Sequence, residues 1–279
     1  MSARSVIAAL GLLAVLPAAD AGNREACSAS WVCIETVERD DLVDVFARNL
    51  QPHAVTVSLR ARTRNLQAEE RNPATQTVGG HGRVRLLRLS PIDASRDWGY
   101  RYFYDWTVGS LAPEHDSTYL YRLPFASGGS YRVLQGFGTG FTHNGLEEFT
   151  VDFDVPEGTA VHAAREGVVA RIEEAHDRSC FGDGCGRFAN YIVIVHPDGT
   201  TGEYYHLQKD GALVEAGQSV RRGQRIGLSG NTGNSTMPHL HFGVYRADTW
   251  GRTQSLPFRF VTLGGIVERP RSGRRYGVG

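Results

Sequence analysis

Net charge is the first thing missing. Thirty basic residues face 30 acidic ones, so no excess of either sign points to nucleic acid or an anionic membrane surface as a partner. Lysine is nearly absent: Lys209 is the only one, a bias with no functional content of its own. A single apolar run, residues 6–16, is too short to span a bilayer as a mature helix, and no second one follows, so no transmembrane segment is expected. No long amphipathic helix, heptad or internal repeat is present, which excludes coiled-coil and repeat architectures. H-E-x-x-H is missing too, which removes a helix-borne glutamate base. Cysteine is scarce, with four in two local pairs, Cys27/Cys33 and Cys180/Cys185. Neither pair has a second pair or a histidine at finger spacing, so a structural zinc is not expected there.

The beginning of the chain, "MSARSVIAALGLLAVLPAADAGN", carries Arg4, then the apolar run, then the small-x-small pattern Ala19-Asp20-Ala21. That is the layout of a secretory signal peptide over residues 1–21, and it implies export to the periplasm or beyond. In an oxidising compartment the cysteines are expected as disulfides. Three connectivities are possible, and local pairing is the expected one.

Residues 22–125 read as β throughout. "HAVTVSLRART" alternates with Val55, Val57 and Leu59 on one face, and "RVRLLRLS", "GYRYFYDWTVG" and "STYLYRLPF" follow between turn clusters. Short strands at this spacing predict a β-sandwich-like domain. The face bearing Tyr100, Tyr102, Tyr104 and Trp106 is expected to pack rather than bind. "PFASGGS" (124–130) reads as a linker into a second domain over 126–265. There "YIVIVHPDGTTGEYYHL" predicts a hairpin turning at Pro197-Asp198-Gly199, and "VEAGQSVRRGQRIGLSGNTG" predicts strands joined by glycine turns. The tail 266–279, "ERPRSGRRYGVG" at its core, is basic and glycine-rich and reads as a loosely held end. The fold class is mainly β.

"NSTMPHLHFGVYR" (234–246) places His239 and His241 one residue apart in a strand-like run. Side chains two apart share a face, so both imidazoles stand together opposite Leu240, Phe242 and Val244. His143, Asp152 and His206 lie in other β-rich stretches. A catalytic zinc takes three protein ligands and an open position for water, which His143, Asp152 and His241 would satisfy. His206 and His239 are then available for proton transfer and oxyanion stabilisation.

The blocks "VDFDVPEGTAVHAAREGVVARI", "NYIVIVHPDGTTGEYYHL", "GQSVRRGQRIGLSGNTGNS" and "PHLHF" stand in the order found in the lysostaphin-like M23 family of zinc metallopeptidases, which this chain resembles from about Tyr131 to Arg246. The resemblance implies an antiparallel lysostaphin-like domain, one zinc held by His143, Asp152 and His241, and catalytic roles for His206 and His239. It selects Asp152 over its neighbour Asp154. Two departures stand out. Eight residues, "NGLEEFTV", separate His143 from Asp152, where many members have the compact H-x-G-x-D; and Met237 replaces a usual glycine. The implied function is hydrolysis of the peptide cross-links of bacterial peptidoglycan. A non-catalytic wall-binding or hydrolase-activating module, or a secreted protease acting on Gly-rich proteins, are the alternatives.

Overall fold

The computed structural model describes residues 24–39, 41–139 and 142–279; the expected signal peptide lies outside them. Among the described residues there is no α-helix, only the short 3-10 turns Gly145–Glu147 and Cys185–Phe188. None is long and apolar enough to cross a membrane. Almost all regular structure is antiparallel sheet, in two compact units.

Among the described residues, one unit takes the chain from Arg24 to Leu111 together with Ala247–Arg252. Its five-stranded sheet orders Arg24–Ser28, Val32–Arg39, Leu42–Asn49, Arg83–Pro91 and Leu66–Ala68; a three-stranded sheet orders Ala74–Val78, Val55–Arg64 and Gly99–Val108. Alternation builds the core between them: Val55, Val57 and Leu59 are fully buried, as are Val43, Val45, Leu87 and Leu89, while Arg60 and Arg62 point to solvent. Tyr100, Tyr102, Tyr104 and Trp106 pack against that core as partly buried side chains, as expected. Cys27 and Cys33 stand opposite each other in register and are disulfide-bonded.

The other unit comprises Ala112–Arg246 and Thr253–Gly279 in the described region. Its main sheet orders Ser219–Val220, Gly167–Glu173, Tyr191–Val195, Thr201–Tyr205, His239–Ala247, Thr150–Asp154, Ser130–Gln135 and Arg275–Gly277. The expected hairpin is present: Val195 pairs with Thr201, and Gly199 turns the chain at φ 81°. Leu240, Phe242 and Val244 sink into a core with Phe153, Tyr204, Phe258 and Phe260. Leu120–Arg122 pairs with Arg259–Thr262, and Gly128 N donates to the Val278 carbonyl, so the "PFASGGS" stretch lies inside this unit. The tail is not a loose end. Arg275–Gly277 forms the edge strand beside Ser130–Gln135, and Val278 is 1% exposed.

Candidate metal and catalytic centre

Strand register assembles the centre. Thr150–Asp154 runs antiparallel to His239–Ala247, pairing Asp152 with His241 and Asp154 with His239; on the other flank Tyr205 pairs with His241. The two aspartates share a strand face but not an environment. Asp154 keeps 39% of its side chain exposed beside Arg132, whereas Asp152 is 4% exposed and accepts a hydrogen bond from Gln135 Nε2 at 2.9 Å. His143 is fully buried in the segment that precedes the strand.

Tautomers decide what this group can hold. His143 Nδ1 lies 3.1 Å from the Gly136 carbonyl, which can only accept, so the ring proton sits on Nδ1. His143 Nε2 is then a lone pair; it lies 3.1 Å from Asp152 Oδ2 and makes no hydrogen bond. On the other side, Tyr245 donates its single hydroxyl proton to Glu147 Oε2 at 2.8 Å. The phenol oxygen, 3.0 Å from His241 Nε2, therefore accepts from it. That leaves His241 Nδ1 as the lone pair of the neutral ring, 2.8 Å from Asp152 Oδ1.

Two lone pairs thus point at the two oxygens of one buried carboxylate, an arrangement that requires positive charge between them. A proton supplies it for one ring. Burial opposes the charge on His241, but the Asp152 and Glu147 carboxylates outweigh burial and raise its pKa to about 10. Burial likewise opposes ionisation of Asp152, yet His143 and His241 hold it well below the usual carboxylate range. A divalent cation would satisfy both nitrogens at once, and the ligand atoms of His143, Asp152 and His241 all lie within 4.8 Å of one another. The donor set fits zinc: imidazole nitrogens and one carboxylate, with room for water. Among the described residues the other cluster of this kind is Glu25, Cys27 and Cys33, whose sulfurs are tied in the disulfide.

His206 and His239 stand beside this group with ring centroids 4.5 Å apart. His206 Nδ1 donates to the Thr232 carbonyl at 2.7 Å, and His239 Nδ1 to the Met237 carbonyl at 2.8 Å. Each therefore keeps its lone pair on Nε2; that of His239 is 3.9 Å from Asp152 Oδ1. Burial, then the charges of His239 and His241, push the His206 imidazolium down to about 3. His206 also occupies the left-handed backbone region at φ 66°, strain of the kind found where a side chain is aimed at a site. All five residues line a cavity of about 410 Å³, walled on one side by the disulfide loop Cys180–Cys185 and on another by Met237.

Gln135, Glu147 and Tyr245 were not singled out in the sequence. Strand alternation could have found Tyr245, which shares the face of His239 and His241. Nothing local marks Glu147, whose place depends on how the eight-residue connection folds.

The all-β unit thus holds a His–Asp–His group whose donor atoms could take a metal ion, with His143 and Asp152 buried and His241 partly so. Residues 147–253 match peptidase family M23, and the chain carries a domain of that family; the match begins just after His143. The chain is similar to peptidoglycan DD-endopeptidase ShyA of Vibrio cholerae serotype O1, 44% identical over 100 residues, which cover 36% of this chain and 19% of that protein. It is also similar to the DD-carboxypeptidase/endopeptidase Mpg of Neisseria meningitidis serogroup B, 36% identical over 92 residues, 33% of this chain and 18% of the relative. The chain thus spans about one fifth of the length of these relatives. Among solved structures, the catalytic domain of lysostaphin from Staphylococcus simulans aligns at 31% identity over 45% of this chain and 88% of that one, TM-score 0.35.

Proposed function

We propose that the protein is an exported zinc metalloendopeptidase that hydrolyses the peptide cross-links of bacterial peptidoglycan. The observation that carries this reading is the pair of imidazole nitrogens, His143 Nε2 and His241 Nδ1, facing one buried carboxylate in the wall of an open groove. The match to peptidase family M23 and the relatives that are peptidoglycan endopeptidases support it. His143, Asp152 and His241 would hold a zinc, which would supply Lewis acidity toward a water and the scissile carbonyl.

The remaining work falls to residues of this chain. His206 and His239 have their Nδ1 protons pinned to backbone carbonyls, so each presents Nε2 to the groove. One accepts the proton of the attacking water on Nε2 and returns that same proton to the leaving amine as the C–N bond breaks; the other donates to the oxyanion when its Nε2 carries a proton taken from solvent. The Gly136 carbonyl orients the His143 ring and the Tyr245 phenol that of His241, while Gln135 fixes Asp152. A non-catalytic wall-binding role would not need this complete donor set.

The test is mass spectrometry of fragments released from purified sacculi by the wild type and by His239→Ala. The wild type should release peptides cut at the cross-link, and the variant should release them at least about 100-fold more slowly. Equal rates would overturn the enzymatic reading. Cleavage of elastin-like peptides but not sacculi would move the substrate to Gly-rich proteins.

A further inference from the structure

We infer that Glu147, delivered by the lengthened connection between His143 and Asp152, is a positioning residue that acts through Tyr245 to hold His241 in the tautomer with Nδ1 open to the metal. The inference rests on the metal-centre reading above and deepens it.

A phenol has one proton and can either donate it to His241 Nε2 or give it elsewhere and accept. Glu147 Oε2, 2.8 Å away, takes it. The phenol oxygen must then accept from His241 Nε2–H at 3.0 Å, and the neutral ring is left with its lone pair on Nδ1. Without Glu147 the hydroxyl is released to donate to Nε2. The ring proton then moves to Nδ1, where it pairs with Asp152 and blocks the cation. Partners of this kind on the far nitrogen of a metal-binding histidine typically change metal affinity by about 10- to 100-fold.

Each part of the chain is held in place. The 3-10 turn Gly145–Glu147 ends with the Glu147 carbonyl accepting from Thr150 Oγ1 at 2.8 Å, and Phe149 N donates to Ser255 Oγ at 2.9 Å. Tyr245 is 1% exposed, and its ring folds back along the strand over Gly243. A Cβ on Gly243 would lie 2.5 Å from Tyr245 Cε2, so the absence of a side chain there is what lets the hydroxyl reach His241.

The experiment is zinc affinity of the full chain, measured by competition with a chromogenic chelator, with thermal unfolding of the metal-free proteins as a check on folding. Glu147→Ala and Tyr245→Phe should each weaken zinc binding by about 10- to 100-fold. In the double variant the loss should be smaller than the product of the two single losses, because Glu147, although 3.7 Å from His241 Nε2, acts mainly through that hydroxyl. Glu147→Gln, whose amide oxygen still accepts from Tyr245, should keep most of the affinity. If Tyr245→Phe fails to fold, the comparison of Glu147→Ala with Glu147→Gln carries the test. Wild-type affinity in Glu147→Ala, equal losses in the alanine and glutamine variants, or losses that multiply in the double variant would overturn the inference. A wild type that binds no zinc would instead overturn the metal-centre reading, and the inference with it.

Discussion

Asp152 faces two imidazole nitrogens that are acceptors in their neutral forms, and that conflict is the signature of the site. Asp152→Asn keeps the shape but removes the charge, and its amide can donate to one of the two nitrogens. Zinc content by atomic absorption should fall from about one ion per chain to well below it, with the metal-free fold retained; full zinc occupancy in the variant would contradict the assignment. Gly243→Ala should weaken zinc binding as Tyr245→Phe does, since the added Cβ displaces the Tyr245 ring; chelator competition reads this as well. At this scale the sequence was informative wherever the strand period of two applies. It put His239 and His241 on one face and their apolar neighbours on the other. It could not show Glu147 or Gln135, because each is brought to the centre by a non-local fold of the chain.

The His239–Ala247 strand is the element on which the centre is built: one face carries the histidines and the other anchors them in the core. Phe242 is fully buried against Tyr204, Phe258 and Phe260. Phe242→Ala should cost about 3–5 kcal/mol of stability, read by urea denaturation; a cost below about 1 kcal/mol would mean that this face is not the core. The Tyr191–Val195 and Thr201–Tyr205 hairpin was legible because the turn residues and the apolar run agree. The Arg275–Gly277 edge strand was not. Its contribution is backbone hydrogen bonding, which any sequence can make, and Val278 alone among its neighbours is strongly apolar. Nor could composition tell that 124–130 would lie within a packed unit, since glycine and serine serve linkers and tight turns equally well.

For the molecule as a whole, stability carries a pH dependence to which a histidine outside the centre contributes. His196 is 2% exposed; its Nδ1 donates to the Glu166 carbonyl, and Arg165, Asp198 and Tyr121 surround it. Burial is the largest influence and holds its pKa down to about 4, against an ordinary 6.5. Between those values the unfolded chain binds a proton that the native one does not, so stability falls as pH drops from about 6.5 to about 4. The loss reaches about 3 kcal/mol. His196→Gln should reduce that slope in denaturant titrations at several pH values, the remainder belonging to His206, which burial holds down in the same way; an unchanged slope would show that His196 makes no contribution. The chain passes to the second unit at Ala112, so "STYLYRLPF", read with the first domain, pairs inside the second; the mainly β class does follow from strand spacing. The return of Ala247–Arg252 to the first unit does not, because six residues carry no periodicity that assigns them to either.

The most direct measurement is the X-ray absorption spectrum of the zinc-loaded protein. Two imidazole nitrogens and a carboxylate oxygen at about 2.0–2.2 Å, with solvent oxygen and no sulfur, are expected. Sulfur ligation, or the loss of only one imidazole when His143 and His241 are both replaced by alanine, would contradict the account.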